Sequence, residues 1–287
     1  MRFFSFRHFV IVALLALCAP VFAQQKGFTE YETFQGTINS DSRLLKLDST
    51  VGWDFNKNFG VFGGVPLYFT SVPSSTTTTG TTTTTTASSS SHGMGNAYMG
   101  MAFRAPNKAL DYAGVLTVWV PTGSTTNGLS TGSAAVDFSN HFSHSFNKFT
   151  PFAEVGVSNT VPDSQFTTRA FTSQGTITHL EEGADYEIIK HTYIGASGYQ
   201  IFPFGSQTIF SKLDGKGKGG NTFDNAPQAT GNNLTRENGF NAWVGFEPSP
   251  YWRAEVGFTR STTFNLSSLA FNLRLNVGRM LRSKKSS

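Results

Sequence analysis

From Leu269 to Val277 the chain alternates strictly. Leu269, Phe271, Leu273, Leu275 and Val277 fall on one side, and Asn272, Arg274 and Asn276 on the other. Successive side chains of an extended chain point to opposite faces, so this stretch reads as a strand with one apolar and one polar surface. The pattern recurs along the sequence. Trp252, Ala254, Val256 and Phe258 oppose Arg253, Glu255, Gly257 and Thr259. Leu45, Leu47, Val51, Trp53 and Phe55 oppose Lys46, Asp48 and Asp54. Leu180, Ala184, Tyr186 and Ile188 oppose Glu181, Asp185 and Glu187.

Composition narrows where such strands can live. Only 14% of the 287 residues are charged and 28 are Phe, which is low in charge and rich in aromatics for a soluble domain. Mean hydropathy is nevertheless −0.19. Past the first two dozen residues no run of about 18 apolar residues occurs, which excludes a helical membrane bundle. The aromatics exclude a disordered chain. Strands that show Phe and Leu to lipid and polar residues to water satisfy both facts.

Residues 1–23 read as a secretory signal peptide. Arg2 and Arg7 supply the positive start, Phe9 to Leu17 the apolar core, and Val21-Phe22-Ala23 the cleavage site before Gln24. The only cysteine, Cys18, lies inside it, so the mature chain has neither disulfides nor a Cys-based metal site. Losing Arg2 and Arg7 leaves 20 basic against 18 acidic residues. That balance does not suit nucleic acid.

Twelve strands are expected, at 29–39, 43–57, 60–70, 93–104, 110–121, 132–143, 148–159, 174–188, 191–202, 238–247, 251–261 and 267–279. Their connections alternate short and long. The short ones are Asn56–Phe59, Ala105–Ala109, Ser143–Lys148, Lys190 and Pro248–Pro250. The long ones are 71–92, 122–131, 160–173 and 203–237, with the shorter 40–42 and 262–266 on the same side. Short periplasmic turns and longer external loops mark a transmembrane antiparallel up-and-down β-barrel of about 12 strands. Aromatics flanking the short turns (Phe55, Phe59, Phe103, Tyr112, Phe142, Phe149, Phe246, Tyr251 and Trp252) predict an interfacial girdle. The barrel domain then spans 24–281 and ends in a basic tail, 282–287. The Ser/Thr-rich segment 71–92 reads as a disordered external loop, and 203–237 as a solvated flexible one.

Little catalytic chemistry is visible. Gly195-Ala196-Ser197-Gly198 misses the nucleophile-elbow spacing and sits in a strand. His141 and His144 lie on opposite faces of a strand and cannot share a metal. His179 lies near Glu181 and Glu182 but shows no serine or metal partner in the sequence, and an outer-membrane hydrolase with a Ser–His pair assembled from distant strands is the least favoured alternative. No enzyme activity, cofactor or metal is therefore expected. The remaining chemistry is the polar face, which gathers candidate lumen-lining residues Asp48, Asp54, Arg104, Asp137, Glu154, Glu181, Asp185, Glu187, Arg253, Glu255 and Arg274, together with Lys46 and Glu247. Acids outnumber bases in this set, which predicts a weak preference for cations. The competing expectation is a lumen filled by structural ion pairs, with only the loops meeting the outside.

Two stretches resemble a known family. Gly93-Met94-Gly95-Asn96-Ala97 is similar to the Gly-x-Gly-Asp strand opening of the meta-cleavage phenol-degradation family of outer-membrane barrels, with Asn96 where the family has Asp. Val120-Pro121-Thr122-Gly123-Ser124, followed by Gly128 and Gly132, looks like its Pro-Thr-Gly strand end and glycine-bearing loop. Pro151–Ser158 and Tyr199–Pro203 are similar in style, so the likeness covers roughly 92–205. It implies a transport-related role with hydrophobic or aromatic cargo, and it assigns no residue roles. The expectation is thus a bacterial outer-membrane channel whose partners are lipid, a small-molecule cargo and the barrel-assembly machinery. One departure stands out: the last strand fades into a basic tail instead of ending the chain on an aromatic residue.

Overall fold

A computed structural model describes residues 27–79, 82–86, 88–105, 107, 109–213 and 228–283. The expected signal peptide lies outside them. Twelve long strands form the wall: β1 (Phe28–Ile38), β2 (Arg43–Asp54), β3 (Phe59–Val72), β7 (Ala97–Ala105), β8 (Asp111–Val120), β9 (Ala135–Ser143), β10 (Phe149–Ser158), β12 (Ile177–Ile189), β13 (Thr192–Pro203), β16 (Glu237–Ser249), β17 (Trp252–Ser261) and β18 (Leu266–Asn276). The other strands, β4 (Ser75–Thr79), β5 (Thr82–Thr86), β6 (Ser89–Met94), β11 (Phe171–Gln174), β14 (Ser206–Ser211) and β15 (Gln228–Asn232), belong to the connections. Each wall strand pairs antiparallel with the next, and β1 pairs with β18 from Tyr31↔Asn276 to Ile38↔Leu269, which closes a twelve-stranded barrel.

Alternation sorts the wall as the sequence predicts. Val51, Met99, Val157, Val244, Val256 and Leu269 are all more than half exposed. In water, so much uncovered apolar surface would forfeit about 25 cal/mol per Å². Among the described residues no helix is long and apolar enough to cross a membrane. At the short-turn end the expected aromatics touch: Phe55 stacks on Phe59 at 5.6 Å, Tyr112 lies 5.2 Å from Phe142, and Phe246 lies 5.6 Å from Trp252.

Several expectations are corrected outside the wall. The segment 71–92 is paired rather than disordered where it is described. β4 and β5 form a hairpin, and β6 continues the pairing of β3. Threonine's β-branched side chain favours extended backbone, and that preference prevails over low complexity. β6 and β7 are halves of one strand, broken at Gly95-Asn96 opposite Pro66. Gly95 N–H donates to the Pro66 carbonyl at 2.8 Å. In the loop 203–237, β14 pairs with β11 and β15 in a small sheet, and residues 214–227 lie outside the described residues. The last strand stops at Asn276 rather than continuing to 279. Asn276 Oδ1 accepts from the Arg279 amide at 3.0 Å, an N-cap that starts helix α1 (Val277–Ser283).

The two resembling stretches meet in space. Thr122 Oγ1 accepts from the Ala97 amide at 2.7 Å and donates to the Gly95 carbonyl at 3.2 Å, and Asn96 Oδ1 accepts from the Gly123 amide at 3.2 Å. The side chain of Asn96 thus helps to tie the broken strand to the end of β8.

Candidate functional site

The connection from β10 to β12 was expected outside. Instead it folds into the barrel. Asp163 is its main anchor: one carboxylate oxygen accepts from Lys46 Nζ at 3.3 Å and from the Tyr68 hydroxyl at 2.8 Å. The other accepts from the Arg169 amide at 2.9 Å and lies 3.9 Å from Lys212 Nζ. Gln165 donates to Glu255 at 2.6 Å, while Gln35 donates to the carbonyls of Ser164 and Gln165. Arg169 pairs with Glu237 in full burial. Phe166, only 2% exposed, stacks on Trp243 of β16. The loop is therefore held by β1, β2, β3, β16 and β17 together. Burying Phe166 alone contributes about 1.5–3 kcal/mol.

Charge at the anchor is balanced by position. Burial by itself would raise the Asp163 carboxyl, but Lys212 and Lys46 outweigh it and hold the group well below the usual range. Burial pulls the Lys212 ammonium down to about 8 despite its attraction to Asp163. Its ammonium also lies 4.1 Å from the centre of the Tyr68 ring.

The outer connections close over this loop. Val161, Phe171, Ile177, Ile201 and Ile209 form a buried cluster where β11 and β14 meet the wall. Thr172 Oγ1 donates to the Gly128 carbonyl at 2.9 Å, joining the glycine-bearing loop to the same cover.

Of the eleven candidate side chains, Glu255 bonds Gln165 of the inward loop, and Asp48 shares Lys46 with Asp163. Some are brought together. Asp54 pairs with Arg104 at 2.9 Å. Arg253 pairs with Glu255 at 2.6 Å, approaches Glu247 at 3.8 Å, and stacks over the Tyr193 ring at 4.6 Å. Asp48 accepts from Tyr98 at 2.7 Å and lies 3.4 Å from Lys46. Others meet no Lys or Arg in an ion pair among the described residues. Glu181 accepts from Ser197 at 2.6 Å and Asn241 at 3.4 Å, Asp185 from Trp243 Nε1 at 2.9 Å, and Glu187 from the His191 amide at 3.2 Å. Arg274 lies over the Tyr31 ring at 4.3 Å.

His179, without a partner in the sequence, bonds Asp137 through Nε2 at 2.9 Å, and its Nδ1 lies 3.9 Å from Glu154. His141 approaches the other Glu154 oxygen at 3.6 Å. Ser139 Oγ also bonds Asp137 and is 3.5 Å from that same Nε2. Ser139 and Asp137 share one ring nitrogen, and Glu154 at the other, 3.9 Å away, is beyond hydrogen-bond distance, so the cluster is not a hydrogen-bonded Ser–His–carboxylate relay. Among the described residues no group of three or more His, Cys, Asp or Glu is placed to hold a metal ion.

The loop leaves two cavities beside it. One, of about 200 Å³, lies against β2, β3, β7 and β8. Phe62, Tyr68, Tyr98, Trp119 and Phe171 line it together with Lys46, Lys212, Asp48 and Asp163. Its rings are in mutual contact, Phe62 to Tyr98 at 6.2 Å and Tyr98 to Trp119 at 6.5 Å. The second, of about 260 Å³, lies on the far side of the loop, under the β1–β2 and β17–β18 turns.

No family model and no curated protein matches the chain. Its structure is similar to an outer-membrane channel from Pseudomonas putida F1, with TM-score 0.54, 10% identity, and 87% of this chain aligned to 94% of that one. The KdgM porin aligns with TM-score 0.49 and 7% identity over 85% of this chain and 98% of the other. A monoaromatic hydrocarbon channel, CymD, aligns with TM-score 0.41 and 9% identity over 91% of each. The first of these likenesses bears out the fold, a closed antiparallel β-barrel of twelve strands matching an outer-membrane barrel; none is close enough in sequence to assign a cargo.

Proposed function

We propose that the chain is an outer-membrane channel for a small molecule, with the inward loop 159–170 as its constriction. The observation that carries this reading is the loop itself. It narrows a twelve-stranded lumen to two side cavities, each suited to a compact solute. An apolar cavity of about 150 Å³ holds benzene, so the 200 Å³ aromatic-lined cavity accommodates a single-ring molecule. Its five aromatic side chains favour a hydrophobic or aromatic cargo, and the four charges beside them cancel. Export through a cleaved signal peptide and insertion by the barrel-assembly machinery belong to the same proposal.

The test is reconstitution of the mature barrel in lipid vesicles and planar bilayers. Uptake of a one-ring aromatic such as toluene, reduced by Trp119→Ala, supports the reading. A second reading, a barrel closed by its own loop and acting only through its surface, is favoured by the density of loop anchors. It is the correct one if neither wild type nor a variant freed of those anchors passes current or solute.

A further inference from the structure

The 200 Å³ aromatic cavity is balanced in charge but not in hydrogen bonds. Its carboxylates are spent. One Asp163 oxygen accepts from Lys46 and the Tyr68 hydroxyl, and the other from the Arg169 amide. Asp48 accepts from the Tyr98 hydroxyl through one oxygen and faces Lys46 at 3.4 Å through the other. Lys46 thus stands between the two acids and is spent with them.

Lys212 is the exception. Its side chain is only 2% exposed, yet the carboxylate that faces it, on Asp163, stands 3.9 Å away, beyond hydrogen-bond distance. Among the described residues its Nζ donates no hydrogen bond, and it meets instead the face of the Tyr68 ring at 4.1 Å. The nitrogen borders the cavity and is not sealed off from it. An ammonium carries three donors and no acceptor, and burying it unbonded is costly. What answers it is a group that only accepts, and an ionised carboxylate is such a group.

We propose that the aromatic cavity binds a single-ring aromatic carboxylate, with its ring among Phe62, Tyr98 and Trp119 and its carboxylate on Lys212 Nζ. The inference rests on the channel reading above and deepens it, since it makes the aromatic acid, rather than the bare hydrocarbon, the preferred one-ring solute. Volume fits. Benzene is held by an apolar cavity of about 150 Å³, which leaves about 50 Å³ here, more than the share of about 30 Å³ that one water takes. A carboxylate fits that remainder. The ring contacts fit as well: Phe62, Tyr98 and Trp119 form a continuous aromatic side.

The experiment titrates the purified mature barrel in detergent with benzoate and with nitrobenzene, which has the same shape and no net charge, by calorimetry. Saturable benzoate binding is expected, about tenfold or more tighter than that of nitrobenzene. Lys212→Met should weaken benzoate by about the same factor and leave nitrobenzene nearly unchanged. Should that variant lose both probes, its cavity has collapsed, and the wild-type comparison decides alone. Absence of benzoate binding overturns the proposal. So does nitrobenzene binding as tightly as benzoate, or undiminished benzoate binding to Lys212→Met. Vesicle uptake is read separately. Toluene uptake without benzoate binding overturns this inference and leaves the channel standing, whereas benzoate binding in a barrel that passes nothing upholds the site and refutes the channel alone.

Discussion

Phe166 of the inward loop and Trp243 of the wall stack with ring centroids 4.7 Å apart and planes 24° from parallel. Trp243 is itself fixed by its Nε1–H bond to Asp185 at 2.9 Å, so the loop rests on an oriented surface. Replacing Phe166 by Ala removes that contact. Core Phe→Ala changes cost about 3–5 kcal/mol, here charged to the loop rather than to the hydrogen-bonded wall. The expected outcome is a several-fold rise in single-channel conductance, with heat-modifiable gel migration retained. Unchanged conductance in a folded variant would show that the loop does not limit flow.

Asp163 makes a second, electrostatic prediction. Removing one partner of a buried ion pair costs about 3–5 kcal/mol, so Asp163→Asn should loosen the loop and expose it to protease. The same carboxylate sets a pH dependence. Its folded value is depressed, so its contribution is complete above the unfolded value of 3.8 and declines as pH falls below it. In bilayer recordings wild-type conductance should therefore stay constant above pH 3.8 and rise only as pH is lowered further toward the depressed folded value, whereas Asp163→Asn should already be high at pH 5 and change little.

The wall was legible because its information is local. A period of two identifies strands, and it placed Glu181, Asp185 and Glu255 on the polar face without any knowledge of their neighbours. The inward loop was not legible, because each of its anchors joins distant segments: Asp163 reaches Lys46 and Lys212, Arg169 reaches Glu237, and Gln165 reaches Glu255. One signal was present. Val161, Phe166 and Phe171 are large apolar residues in a mostly polar connection, and a solvated loop has no use for two Phe side chains. Low complexity misled in the opposite direction at 71–92, where threonine's backbone preference decided the outcome. Which wall charges are paired also escaped the sequence. Cross-strand register decides that question, and alternation gives only the face.

The unpaired acids bear on selectivity. Glu181, Asp185 and Glu187 lie on one strand and take their hydrogen bonds from Ser197, Trp243 and a backbone amide rather than from Lys or Arg. If current passes along this wall, reversal potentials in a salt gradient should show cation preference. Glu181→Gln combined with Asp185→Asn should roughly halve the permeability ratio. Anion selectivity in the wild type would mean that the path avoids β12.

Two glycines on the wall should respond oppositely to the same change. A Cβ on Gly156 would fall 2.2 Å from Nε2 of His179, the atom that bonds Asp137. Gly156→Ala must therefore displace the imidazole and break that bond, at a cost of about 1.5–3 kcal/mol for a hydrogen bond to a charged group. A Cβ on Gly198 meets only the Gly239 carbonyl oxygen, at 4.0 Å, so Gly198→Ala should be tolerated and gain slightly from a less flexible unfolded chain. Urea unfolding of the two variants in vesicles gives the comparison. Equal midpoints would show that the Asp137–His179 contact contributes nothing to the stability of the wall.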